Sequence, residues 1–257
     1  MRYMQNPEDI LKRLGIYEPS DIDLDLIAFS LNAQVKRVAL TECEGSIIGT
    51  TAKAIISINS NAHPKRQRFS LGHELGHWVN DRGPKMPFRC DTNAMRQREN
   101  RPGDFGQHRE VRANAFAADL MMPVFIWKKY CEALDVTSDS IRCAANMFNV
   151  SLTSAAIRLV EKSIYPCMII CWDRYGKRQW FSRNSNVPEN IWPIERVIHP
   201  NKYFVTSNAL QIDADKWIES ENSNEYTLIE SVFTNGTDFI VVLWWKDEKQ
   251  LLIEINN

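Results

Sequence analysis

Residues 65–80 read KRQRFSLGHELGHWVN, and at their centre His73-Glu74-Leu75-Gly76-His77 decides how the rest of the chain is interpreted. On a helix, positions four apart lie about 40° apart around the axis, so His73 and His77 share a face. Two imidazoles one turn apart can bind the same zinc ion. Glu74, one step round, can reach a water at that ion without taking a metal position, as a general base must. No proline interrupts the run after Pro64, and Phe69, His73, Gly76, His77 and Asn80 recur at helical spacing. Gly72 and Gly76 each cost about 1 kcal/mol in a helix interior. Close approach of another backbone or of a substrate would account for them. Chance produces such a pentapeptide in a chain of this length on the order of 1% of the time, so a third ligand is required.

A third histidine in the pattern His-Glu-x-x-His-x-x-Gly-x-x-His is excluded, because Asn80 and Gly83 stand where that pattern continues. The other choice is a carboxylate from a later helix, leaving one position open for water. Residues 109–123, REVRANAFAADLMMP, offer it. Ala113, Phe116, Ala117, Leu120 and Met121 form an apolar helical face, and Pro123 ends the helix. Glu110 and Asn114 lie one turn apart on the neighbouring face. Glu110 can bind metal while Asn114 supports a histidine ligand from behind. Ala113, Ala117 and Ala118 would let this helix pack closely on the glycine-bearing one. Spacing alone serves equally well for a plain amphipathic helix with a solvated Glu110.

The pair RxRFSLGHELGHW and ExxANxFAADLMMP resembles the ImmA/IrrE family of bacterial metallopeptidases, whose usual pattern is RxRFTxAHELGH followed by ExxANxFAAxLLMP. The likeness runs over roughly residues 20–163, and Ala54–Asn59 (AIISIN) matches the strand that precedes the metal helix in that family. The resemblance implies an α+β, zincin-like domain with a small sheet. It also implies His73, His77 and Glu110 as zinc ligands and Glu74 as catalytic base. Members cleave or regulate repressor proteins. Two departures stand out. Many members carry an N-terminal repressor-like DNA-binding domain, for which no room is expected before the peptidase segment here, and the stretch Asp81–Arg109 is long and rich in Arg, Pro, Gly and Asn. That stretch is expected to form a cover over the cleft, in competition with a disordered insertion.

The 257 residues suffice for one large domain or two small ones, and ordinary apolar content predicts a sizeable core. There is no apolar run long enough to span a membrane and no signal-like apolar core in MRYMQNPEDILKRLG, so a cytoplasmic location is expected. Cys43, Cys90, Cys131, Cys143, Cys167 and Cys171 form no CxxC pair and are expected to be reduced. Charge is uneven. Residues 65–112 hold 11 Lys/Arg and 6 Asp/Glu, a net of +5, whereas residues 186–257 hold 5 and 12, a net of −7. The acidic end argues against nucleic-acid affinity of the whole chain. The basic stretch reads as solvated surface, with attraction of an acidic substrate the lesser option.

Patterning predicts a short helix over 6–16 and a second after Asp21–Asp23. Strands follow at Val35–Thr41 and Ala54–Asn59, separated by a Gly-containing turn over 44–50. Residues 124–135 continue helical. Residues 139–162 resemble a helix-turn-helix, with Ala144, Ala145, Phe148, Val150, Ala155 and Leu159 as its core and Ser151 as a cap. Its second helix carries Arg158 and Lys162 offset by Glu161, a poor recognition face, so structural packing is the expected role. Domains are placed at 1–138 (peptidase), 139–163 (helix-turn-helix-like) and 164–257 (a mixed α/β sensor-like or docking module). In the last, Ile164–Trp172 pairs with Lys177–Phe181 across the turn Asp173–Gly176. Phe239–Trp245 and Leu251–Ile255 form a terminal hairpin. Trp180–Phe181 and Trp244–Trp245 are expected to be core or sheet-face residues.

The function expected is a zinc-dependent endopeptidase with one ion per chain, Zn2+ or else Mn2+ or another divalent ion. Its substrate would be a repressor-like protein, with no membrane partner. The oxyanion donor would come from His108, Tyr130 or His199, and the strand Ala54–Asn59 would offer an edge to an extended substrate. A regulator that binds a repressor or toxin without cutting it is the alternative, against which the intact Glu74 argues. A DNA-binding factor using residues 139–162 is the third.

Overall fold

In the computed structural model the chain is an α+β protein; the structure describes residues 5–81, 88–90, 105–219 and 227–245. It divides into two compact units, Met1–Trp127 with Met147–Val150, and Lys128–Asn146 with Ser151–Asn257.

In the first unit, helix α1 (Pro7–Arg13) starts where Asn6 caps it and Pro7 takes the first turn, which needs no N–H. Asp23 caps α2 (Leu24–Ser30) by accepting from Asp25 N and Leu26 N at 2.9 and 3.1 Å. Strand β1 (Ala33–Val38) then runs parallel to β3 (Ala54–Asn59). Between them in sequence lies β2 (Gly45–Gly49), antiparallel to β3 on one side and to β4 (Phe88–Cys90) on the other, giving the order β1-β3-β2-β4. Alternation sets the faces: Ala54, Ile56 and Ile58 on β3 and Ile47 on β2 are buried. On the inner face lies α3 (Pro64–Asn80), anchored by Trp78, whose indole N–H donates to Leu31 O at 2.8 Å.

Two expectations are corrected here. The turn over 44–50 is strand β2, because the backbone pairing of Gly45–Gly49 with two neighbours outweighs its end glycines. Strand β3 is interior, hydrogen-bonded on both sides, so it has no free edge to offer a substrate. The expected cover over the cleft lies, for residues 82–87 and 91–104, outside the described residues.

Helix α4 (Phe105–Met121) runs to Met121, and α5 (Val124–Cys131) follows after Pro123. Next come α6 (Ser138–Met147) and α7 (Leu152–Lys162), the latter capped by Ser151, which accepts from Ser154 N at 3.0 Å. All six residues expected in a helix-turn-helix core are buried. Arg158, counted as a cation on the surface of α7, is only 3% exposed.

The second unit's sheet is antiparallel throughout. It contains β5 (Cys167–Trp172), β6 (Arg178–Arg183), β8 (Ser207–Asp213), β10 (Thr227–Asn235) and β11 (Asp238–Trp244), in the order β6-β5-β11-β10-β8; β7 (Trp192–Pro193) and β9 (Ile218–Glu219) pair separately. β5 is wholly buried, as its unbroken apolar run implies. The β5–β6 hairpin forms where expected. The run Phe239–Trp245 does pair as a hairpin strand, but its partner is β10 across Gly236, and Leu251–Ile255 lies outside the described residues. Trp244 and Trp245 are buried and Phe181 packs against the core, as sheet residues would. Cys43, Cys131, Cys143, Cys167 and Cys171 are free thiols.

Candidate metal centre

Close contact between α3 and α4 builds this centre. A Cβ on Gly72 would lie 3.2 Å from Ala117 Cβ; one on Gly76 would lie 3.0 Å from Ala113 Cα and 3.2 Å from its carbonyl oxygen. The two helices therefore meet almost backbone to backbone, which explains both glycines and the small residues Ala113 and Ala117 facing them. Every residue from Ser70 to Trp78 is buried in consequence.

This contact brings His73, His77 and Glu110 together. Their ligand-type atoms all lie within 4.8 Å of one another, forming a group that can hold a metal ion. His73 Nε2 and His77 Nε2 are 3.1 Å apart; Glu110 Oε2 is 3.2 Å from the first and Glu110 Oε1 3.4 Å from the second. Ligand atoms about 2.05 Å from a tetrahedral zinc stand about 3.3 Å from one another. The three spacings match that edge.

The far side of each imidazole is also held. His73 Nδ1 lies 2.9 Å from Asn114 Oδ1, and His77 Nδ1 lies 2.8 Å from Asp81 Oδ2. Both partners are acceptors, so each Nδ1 carries hydrogen, leaving the Nε2 positions, which face each other, as the lone-pair sites of the neutral rings. Two such lone pairs and a carboxylate at this range suit a shared cation. Asp81 in turn accepts from Arg112 Nη2 at 2.9 Å, so α4 supplies both Glu110 and the group that steadies Asp81.

Electrostatics follow the same geometry. Burial pushes His73 below its ordinary pKa, only partly opposed by its bond to Glu110. Burial would lower His77 too, but Asp81 and Glu110 outweigh it and raise His77 to about 9. Burial would raise Glu110, yet the two histidines hold it down at about 2. The cluster without metal thus keeps a proton at His77 and a charge on Glu110.

Glu74 is fully buried beside these rings, and its negative charge acts on His77. It sits under β2: a Cβ on Gly45 would come within 2.7 Å of Glu74 Oε1 and 3.1 Å of its Cγ. Gly45 is glycine because this carboxylate needs the space.

All five residues singled out in the sequence (His73, Glu74, His77, Glu110 and Asn114) are gathered here. Of the oxyanion candidates, His108 is not gathered in this way. His108 stands two residues before Glu110, roughly 200° round α4, while Tyr130 and His199 belong to the second unit. Three contributors escaped the sequence reading: Asp81, Arg112 and Gly45. Asp81 carried a signal, since it stands four residues after His77 and so on its face.

Comparison with known proteins places the fold. A solved structure described as a Mycobacterium tuberculosis transcriptional regulator shares the fold, with a TM-score of 0.56 at 13% identity over 93% of this chain and 85% of that one. No curated protein matches at a significant level. The Peptidase M78 family, described as the IrrE N-terminal-like domain, matches residues 21–160, more than half of the 257 residues and a range that includes both α3 and α4. The chain belongs to the Peptidase M78 family and carries its zincin-like domain.

Proposed function

We propose that the chain is a metal-dependent endopeptidase in which His73 Nε2, His77 Nε2 and the Glu110 carboxylate hold one zinc ion. The observation that supports it most is the convergence of these three groups at 3.1–3.4 Å with both outer imidazole nitrogens occupied. The mixed nitrogen and oxygen set suits zinc, and manganese is the next candidate. An ion bound there supplies Lewis acidity, bringing a water's pKa towards ~7 and drawing charge from a substrate carbonyl.

The chain's own groups do the rest. Glu74 takes the proton of the attacking water on a carboxylate oxygen and delivers it to the departing amide nitrogen. Asn114 and Asp81 keep the two imidazoles in the tautomer and orientation that binding requires. Gly45 clears the space in which Glu74 moves. An extended substrate is best added to β4, an outer strand of the described sheet, whose Cys90 pairs with Gly45, the residue that lies against Glu74.

The substrate proposed is a repressor-type regulatory protein in the cytoplasm. The motif resemblance and the regulator-like structural neighbour support this class, and no described helix is long and apolar enough to cross a membrane. The test is co-expression with a repressor-type regulator from the same genome, comparing wild type with Glu74→Gln. Cleavage by the first and none by the second is expected, with metal content unchanged. Full cleavage by Glu74→Gln rules the mechanism out, and partner inactivation without cleavage in either chain points to a binding regulator.

A further inference from the structure

The second unit carries a basic groove that the metal chemistry does not use. It lies between the turn Asp173–Gly176 and the strap Glu195–Lys202. One part, about 740 Å³, is lined by Arg174, Tyr175, Arg196, Pro200 and Asn201. A smaller part, about 300 Å³, continues past the same Arg196 to Lys177, Arg178 and Glu195.

The groove is built from locked backbone. Val197 N donates to Gly176 O at 2.8 Å and Arg178 N to Glu195 O at 3.1 Å, fastening strap to turn. Gly176 has φ 76°, and a side chain there would run into the Val197 carbonyl. The acid that lines the groove is Glu195, in its smaller part; Asp173 is tied into the turn, where Oδ1 accepts from Tyr175 N and Lys177 N, and Oδ2 from Gln179 Nε2. Among the described residues Arg174, Lys177, Arg196 and Lys202 form no ion pair with a carboxylate. Tyr175 is 64% exposed beneath the Arg174 guanidinium, and Ile198 on the strap is 79% exposed.

We propose that this groove docks an acidic, extended segment of a protein partner that also carries apolar or aromatic side chains. Guanidinium groups on two facing segments match carboxylates placed at intervals. The exposed Tyr175 and Ile198 match the residues between them. The groove is open, which suits a chain lying along it better than an enclosed small molecule. A nucleic acid fits less well, because its charge is continuous while Glu195 interrupts the track and residues 203–257 hold 10 Asp/Glu against 3 Lys/Arg. The groove lies wholly in the second unit, and its partner is independent of the peptidase reading given above.

The test is fluorescence anisotropy on the full chain with a short labelled peptide of alternating glutamate and tyrosine. Binding at low salt that weakens as salt rises is expected. Arg174→Glu with Arg196→Glu weakens it about tenfold or more, while Arg174→Lys with Arg196→Lys stays within roughly threefold. Matching circular dichroism and melting curves show that the variants fold. Absence of binding by wild type, equal binding by the charge-reversed pair, or stronger binding of an oligo-dT strand than of the peptide overturns the proposal. No cleavage is read, so a failure of the Glu74 mechanism leaves this result standing, and the reverse holds too.

Discussion

Asp81 Oδ2 lies 2.8 Å from His77 Nδ1, and the same carboxylate is gripped at 2.9 Å by Arg112. The helix bearing one candidate ligand is thereby tied to the helix bearing another through a residue that is not itself a ligand. Asp81→Ala should lower zinc affinity roughly 10- to 100-fold, measured by competition with a chromogenic chelator. Asp81→Asn, which keeps an acceptor oxygen, should lose less. Wild-type affinity in Asp81→Ala would show that His77 is oriented by other means.

Gly76→Ala carries an unusual sign. An exposed helix gains about 1 kcal/mol from this exchange. Here the added methyl meets Ala113 backbone at 3.0–3.2 Å, so the variant should lose roughly 1–3 kcal/mol as an overpacked core does. Urea midpoints decide it, and a stabilised variant would contradict the helix contact.

Gly45→Ala should separate folding from chemistry. Its methyl displaces Glu74 rather than a ligand. Zinc stoichiometry and melting should change little, whereas turnover should fall on the order of 100-fold for a base shifted by about 1 Å. Loss of zinc from this variant would place the clash elsewhere.

Proton and metal compete at His77. Its pKa is raised from 6.5 to about 9 in the protein without metal, so zinc added to the chelated protein near pH 7.5 should release about one proton. Calorimetry in two buffers of different ionisation enthalpy counts it. The sign for stability follows from the same shift. A raised folded-state pKa contributes fully below 6.5 and is lost as pH climbs through about 9. Over that range Glu110, held at about 2, stays ionised and His73, shifted down by burial, stays neutral. The chelated protein should therefore lose on the order of 1–3 kcal/mol between pH 6.5 and 9, while the zinc-loaded protein should not. Flat stability of the chelated chain across that range would mean that His77 holds no extra proton.

Much of the site was legible because helical spacing is a local property. His73, Glu74 and His77 could be placed from their own neighbours, Glu110 and Asn114 were candidates that the paired-motif resemblance singled out, and Gly72 and Gly76 betrayed a close partner. What escaped depends on distant pairing. β2 has glycine at both ends and becomes a strand only between β3 and β4. β10 hides a glutamate mid-strand, and Glu230 is tolerated there because Lys216 Nζ and Trp217 Nε1 donate to it at 2.6–3.0 Å. The interior place of β3 is a matter of strand order, on which alternation is silent.

The near-contact of Gly76 with Ala113 bears on how such a chain can diversify. The span between the two histidines and Glu110 is written into two short stretches whose surfaces fit each other. Residues that conserve this fit keep the cradle's dimensions, so a lineage can vary the faces of α3 and α4 that point away from the Gly72–Ala117 and Gly76–Ala113 contacts without moving the three groups apart.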